Sequence, residues 1–168
     1  MKLHLGCGED YLEDYINCDF DENIRKDMFL DLEKPLWTLE DNSVSHIYTK
    51  NTFEHIKNII PLMKELHRVC KKGSIINIRV PFYSSYAYLG ALDHITRFSP
   101  ISFNKYLFKD MFKVNFKIKF FIEEKGIFLN LINKCVNYVS NKYPYFYCRA
   151  LANILPSSEI EYFLEVVK

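Results

Sequence analysis

The chain opens on a short apolar run, Leu3-His4-Leu5, that stops at Gly6-Cys7-Gly8, the pattern of a buried strand running into a tight turn. A second run, Tyr15-Ile16-Asn17-Cys18-Asp19, ends on an aspartate, and Met28-Phe29-Leu30-Asp31-Leu32 repeats that form. Ser45-His46-Ile47-Tyr48-Thr49 follows the turn-prone Asp41-Asn42-Ser43, which predicts a fourth short strand. The period then changes. Ile59, Leu62, Met63, Leu66, Val69 and Cys70 recur three and four apart, predicting a one-faced helix that Lys71-Lys72-Gly73 closes with cations and a C-cap glycine. Residues 74–81 read as a fifth strand ended by Pro81. A helix feeding a β-branched strand is the second half of a βαβ unit, so this strand is expected to lie parallel to the fourth.

Beyond Pro81 a polar and aromatic stretch, 82–97, has no clear period and reads as a loop. Ser102 is placed to cap a helix running to about Phe112. Val114, Phe116, Ile118 and Phe120 alternate with Asn115, Lys117 and Lys119, a strand with one lysine-rich wet face. Residues 127–155 are expected to be helical in part, and 159–167 alternate again as a last strand. Strands that end in polar residues, with helices between them, describe one open α/β domain over residues 1–168.

Composition narrows the class. A hydrophobic fraction of 49% spread over short runs supplies a globular core, and excludes disorder. The longest apolar stretches, such as 127–132 with Asn130 inside it, fall far short of the roughly 20 residues of a membrane span. Cys7, Cys18, Cys70, Cys135 and Cys148 are odd in number and contain no C-x-x-C pair, which argues against a disulfide framework or a zinc site. With no apolar signal segment after Met1, a cytoplasmic location is expected. Residues 1–60 hold 13 acidic against 6 basic side chains, and the remainder 8 against 16. The basic half could serve an anionic ligand, but lysines on wet faces account for the same count, and nucleic acid is not expected.

In open α/β sheets the ligand lies at the carboxyl ends of the strands. Gly6 and Gly8 stand after the first strand, where a turn must let backbone N–H groups approach a ligand with no Cβ in the way. Asp19, closing the second, suits the vicinal hydroxyls of a ribose, and Asp31, closing the third, could accept from a base amino group. Together they describe an adenosine site. The full G-x-G-x-x-G of a dinucleotide enzyme is absent.

On these residues the chain resembles the class I S-adenosylmethionine-dependent methyltransferases, in particular the small type 11 and type 23 relatives. Leu3-His4-Leu5-Gly6-Cys7-Gly8, Tyr15-Ile16-Asn17-Cys18-Asp19, Asp31-Leu32-Glu33-Lys34-Pro35-Leu36, residues 41–47 and Phe53-Glu54-His55-Ile56 carry the resemblance, residues 66–73 and 159–168 support it, and 82–158 match least well. It implies a Rossmann-like open sheet of about seven mostly parallel strands with an antiparallel last strand beside the sixth, and helices on both faces. It further implies that Gly6, Cys7 and Gly8 line the methionine part of S-adenosyl-L-methionine, Asp19 holds the ribose, Asp31 with Leu32 meets the adenine, and Asn51 with Thr52 lies beneath the sulfonium. The family often has an acid where His4 stands and a third glycine where Asp10 stands; here so few residues separate Gly8 from Tyr15 that the usual first helix must be very short or missing. Either the site is more open than usual or another chain covers it.

A sulfonium methyl is already electrophilic, so the protein must mainly position the nucleophile and take its proton. His94, in the region where the family places substrate-facing residues, is the candidate base, with Asp93 or another acid to orient it. Arg97 is a candidate for an anionic substrate group, and Tyr83 and Tyr86 for the acceptor pocket. His55 reads as structural, and no metal site is expected. The resemblance to short glycan-modifying relatives favours oxygen methylation of a small molecule or sugar intermediate. Rivals are protein or RNA methylation, or a non-catalytic cofactor-binding partner. The aromatic stretch 138–147 is a candidate interface for a homodimer.

Overall fold

A computed structural model describes all residues except Pro35, 104–107 and 122–126, and the side chain of Ile127. Seven strands form one sheet: β1 (Lys2–Leu5), β2 (Ile16–Asp19), β3 (Met28–Phe29), β4 (Val44–Lys50), β5 (Cys70–Pro81), β6 (Phe112–Lys119) and β7 (Glu159–Val166). Their order is β3-β2-β1-β4-β5-β7-β6, with β7 inserted antiparallel to both neighbours and the first five strands parallel. The expected Rossmann-like sheet with an antiparallel last strand is therefore present. Helix α1 (Ile59–Val69) joins β4 to β5 and buries Leu62, Met63, Leu66 and Val69 on the face that its period marks out.

No helix stands between β1 and β2. The chain turns from Gly8 to Tyr15 and is tied down by one side chain: Asn17 Nδ2 donates to the carbonyls of Leu12 and Tyr15 at 2.9 and 3.1 Å, while its Oδ1 accepts from Leu12 N–H at 2.9 Å. His4, fully buried on β1, faces the same Oδ1 through Nδ1 at 3.1 Å, and burial lowers its pKa. A buried polar network thus stands where a helix would pack.

Several local expectations need correction. Helix α1 ends at Val69 and Cys70 already belongs to β5, so Lys71, Lys72 and Gly73 lie inside that strand, where Gly73 takes φ 77° and the pairing with β4 shifts register. Alternation with β4 and β7 has overridden the helix-stop signal. The third strand is only two residues, so Asp31 lies in the turn after it. Residues 101–103 and 108–111 are turns and bends rather than helix; 104–107 fall outside the described residues. A five-residue helix, α2 (Tyr86–Gly90), capped by the Ser85 hydroxyl, occupies part of the stretch expected to be loop. The aromatic segment folds as α3 (Ile127–Lys142), a short α4 (Pro144–Phe146) and a π turn (Tyr147–Leu151).

The lysine-rich face of β6 is largely neutralised from β7: Lys113 meets Glu165 at 3.1 Å, and Lys119 meets Glu159 and Glu161 at 2.7 and 3.0 Å, as the cross-strand register dictates. The positive charge of the second half is partly spent inside the sheet.

Candidate active site

Three features gather at the carboxyl ends of the parallel strands. The first is a cleft of about 800 Å³ into which Gly6, Gly8, Asp19, Asp31, Leu32, Asn51 and Thr52 all open. Gly6 has φ 61°, and a Cβ there would lie 2.3 Å from Thr52 Cγ2, so β1 and β4 meet at a contact only glycine allows. Gly8, with φ 50°, has nothing within 4 Å of such a Cβ, so the space in front of it is open. Asp19, 7% exposed, accepts Gly8 N–H on Oδ2 and Asp21 N–H on Oδ1, each at 2.9 Å, which fixes the carboxylate while leaving each oxygen a further lone pair. Asp31 is held by Lys34 at 3.0 Å and by Glu33 N–H, contacts that keep its pKa low. Exposed Phe20, Leu92 and Ile95 add apolar walls.

The cysteine of the opening turn behaves otherwise. Cys7 is 3% exposed, its N–H donates to the Cys18 carbonyl at 3.1 Å, and it is not part of the cleft lining; burial pushes its thiol pKa up. Its side chain belongs to the core.

The second feature is a smaller chamber of about 300 Å³ that shares Asn51 and His55 with the cleft and is bounded by Glu54, Pro81, His94, Ser158 and Glu159. Asn51, at φ 52°, forms the lip between the two. Glu54 lies in a 3₁₀ turn, 53–55, and the loop carrying His94 is hung on it: the N–H groups of Ile95 and Thr96 both donate to the Glu54 carbonyl, at 2.8 and 2.9 Å, and Thr96 Oγ1 donates to Ile56 O at 2.6 Å. The Glu54 carboxyl is completely buried with no hydrogen-bond partner on either oxygen, and burial raises its pKa to about 7. His94 Nε2 stands 4.0 Å from Glu54 Oε1, and its Nδ1 is also without a partner. Asp93 does not reach for His94; it pairs with His55 Nδ1 at 3.1 Å. The acid beside the candidate base is thus Glu54, and His55 stacks edge-on against His94 at 4.9 Å. Sequence reasoning left Glu54 out and read His55 as structural. The signal was there in a Glu-His pair directly after a strand end, but nothing local ties it to His94.

The third feature separates the substrate candidates. Arg97 and Tyr83 line a cleft of about 480 Å³ with Ser99, Tyr145, Cys148 and Arg149, sharing no lining residue with the other two. Tyr83 OH already donates to the Cys148 carbonyl at 3.0 Å, and Tyr86 is 88% exposed and lines none of the three.

A buried, preset carboxylate, an open approach to backbone at Gly8 and apolar walls in one cleft fit an adenosyl sulfonium ligand. Comparison with known proteins bears on the fold. Residues 3–78 match the family model described as "Methyltransferase domain", of type 11. The whole chain superposes on an S-adenosylmethionine-dependent methyltransferase from Archaeoglobus fulgidus with TM-score 0.69 at 18% identity, covering 98% of this chain and 85% of that one. A complex between the Haloferax volcanii Trm112 methyltransferase activator and a candidate methyltransferase gives TM-score 0.65 at 14% identity, covering 99% and 82%. The Haemonchus contortus phosphoethanolamine N-methyltransferase 2, solved with phosphomonomethylethanolamine and S-adenosylhomocysteine, gives 0.62 at 11% identity, covering 99% of this chain and 48% of that one. A sequence search of curated proteins finds no match. The fold is that of the S-adenosylmethionine-dependent methyltransferases. Residues 3–78 are similar to a methyltransferase domain of the type 11 family, and the chain has the class I methyltransferase fold.

Proposed function

We propose that the chain is an S-adenosylmethionine-dependent methyltransferase that transfers the cofactor's methyl group to an oxygen of a small molecule or sugar intermediate seated in the 300 Å³ chamber. The observation that carries this reading is the chamber itself: it adjoins the cofactor cleft across Asn51 and His55 and presents a buried acid, Glu54, beside a partly buried imidazole, His94, with no hydrogen-bond partner on either Glu54 oxygen or on His94 Nδ1. In this reading Gly8 and Asp19 bind the cofactor, which supplies an electrophilic methyl when bound. Asn51 and Thr52 border the reacting centre, and His94 receives the acceptor's proton while the Glu54 side chain steadies the imidazolium. Asp93 acts at one remove by orienting His55. An amine acceptor would need less help with its proton, so the buried pair favours oxygen. A volume of 300 Å³ suits about one ring and not a polynucleotide, and the ion-paired β6 lysines offer little phosphate-tracking charge. Arg97 and Arg149, in their separate cleft, would hold an anionic extension of the acceptor.

The test is formation of S-adenosylhomocysteine across pools of sugars, phenols, amines and RNA. Turnover is expected in the sugar or small hydroxylic pools, and His94→Ala should lower it by about 10²-fold or more with cofactor affinity unchanged. Cofactor binding with no turnover in any pool would favour the non-catalytic partner.

Phe128, Tyr138, Tyr145 and Phe146, each more than half exposed along α3 and α4, support a homodimer through this side. Sedimentation equilibrium should give a dimer that Phe128→Glu with Tyr145→Glu converts to monomer; a wild-type monomer at high micromolar concentration removes the idea. No described helix is long and apolar enough to cross a membrane, and the described cysteines are all free, which supports a reducing, cytoplasmic setting.

A further inference from the structure

We propose that Glu54, His55 and His94 form a binding site for a divalent first-row transition-metal ion at the wall of the acceptor chamber. The ligand atoms of the three side chains lie within 4.8 Å of one another, so side-chain rotations of about 1 Å would bring them to bonding distance around one ion. Two imidazoles and one carboxylate are the donor set that such ions take, and three protein ligands leave coordination positions open.

The second observation is independent of the clustering. Glu54 is wholly buried, both of its carboxylate oxygens lack a partner, and it borders the chamber rather than the solid core. A buried carboxyl is ordinarily compensated by hydrogen bonds or charge. Arg79 and Lys119, also near the chamber mouth, are both engaged by Glu159 and do not supply the missing cation. His94 Nδ1 is a second orphan in the same place. Around them the supports of a ligand set are already assembled. Asp93 Oδ2 stands 3.1 Å from His55 Nδ1, a carboxylate placed behind the imidazole as in carboxylate–histidine–metal arrangements. The Ile95 and Thr96 N–H bonds to the Glu54 carbonyl hold the two halves of the cluster in register.

The site stands by itself as a binding proposal; only its catalytic consequence rests on the function proposed above. An acceptor hydroxyl entering an open coordination position is held beside the sulfonium and made more acidic, its proton passing to solvent. Its oxygen then bonds to the methyl carbon as the carbon–sulfur bond breaks, the electron pair remaining on sulfur. In this loaded state His94 is a ligand, and the proton transfer it performs alone is taken over. Acceptors with adjacent oxygens, such as the vicinal diols of sugars, would chelate best.

The experiment uses the untagged 168-residue chain stripped of metal with EDTA, then titrated with Co²⁺ by visible absorption and with Zn²⁺ and Mn²⁺ by calorimetry. One ion per chain is expected, with a Co²⁺ spectrum in the visible. Glu54→Gln and His94→Gln should each weaken binding by about 10-fold or more, and Asp93→Asn by a smaller factor. His46→Gln should leave the titration unchanged. Far-UV circular dichroism and a cooperative melt confirm folding; should His94→Gln not fold, His55→Gln, on a half-exposed ring, takes its place. Absence of binding with all three ions at millimolar concentration overturns the site. So does binding that survives both Glu54→Gln and His94→Gln at wild-type strength. Asp19→Asn separates this from the cofactor reading, because it should weaken S-adenosylmethionine and leave the Co²⁺ titration as in wild type. A chain that binds Co²⁺ normally but no S-adenosylmethionine fails the function and keeps the site; the reverse fails the site alone.

Discussion

Asp19→Ala should abolish measurable S-adenosylmethionine binding, with a loss of about 10²-fold or more in affinity. The carboxylate lies at the end of β2, nearly buried, and its orientation is set before any ligand arrives by Gly8 N–H on one oxygen and Asp21 N–H on the other. Each oxygen keeps a lone pair toward the cleft, where a ribose diol can donate to both. Hydrogen bonds to a charged acceptor contribute about 1.5–3 kcal/mol each, and two of them account for the loss. The substitution also strands two backbone N–H groups, at a cost to the fold of about 1–3 kcal/mol. Asp19→Asn resolves the two effects. It keeps one carbonyl acceptor, so the melting temperature should fall only slightly, while calorimetry should still show affinity reduced by about 10-fold because one ribose contact and the charge are gone. Wild-type affinity in Asp19→Asn would remove Asp19 from the cofactor site.

What the sequence disclosed here follows from how local each signal is. The glycines after β1, the aspartate ending β2 and the face of α1 are written within a few residues, because a tight turn, a strand end and a helical period each need only neighbours. The alternation of β6 and β7 was legible for the same reason, although the cross-strand ion pairs that it creates were not. Failures came where tertiary pairing outweighed a local cue. Gly73 resembles a helix cap but serves a register shift in β5, and Lys71 and Lys72 go with it. Ser102 resembles an N-cap, yet its hydroxyl accepts from Ser99 N–H in a turn. The Glu54–His55–His94 cluster was invisible because its halves, a 3₁₀ turn and a distant loop, meet only through tertiary contacts. Arg97 lines a cleft that shares no residue with the one holding Asp19 or the one holding His94, a separation that no local signal announces.

The two glycines of the opening turn predict opposite outcomes from one substitution. Gly6→Ala puts a Cβ 2.3 Å from Thr52 Cγ2, 2.5 Å from Oγ1 and 2.9 Å from Thr52 Cβ, at a φ of 61°. The left-handed conformation costs a non-glycine residue about 1–2 kcal/mol, and the overlap about 1–3 kcal/mol more. Thr52 cannot turn aside freely, since its hydroxyl bonds the carbonyls of both Gly6 and Lys50. The total, roughly 2–5 kcal/mol, is a large part of an ordinary domain's stability of about 5–15 kcal/mol. A marked drop in the urea midpoint is expected, and Thr52→Ala in the same chain should restore part of it by removing two of the three close atoms. Gly8→Ala meets no protein atom within 4 Å, so it should carry only the backbone cost, while its methyl projects into the space in front of the turn and weakens S-adenosylmethionine binding. Denaturation and calorimetry on the pair therefore separate a glycine required for strand contact from one required for ligand approach. Equal stability losses with unchanged cofactor affinity in both would show that the space before Gly8 is not where the cofactor lies.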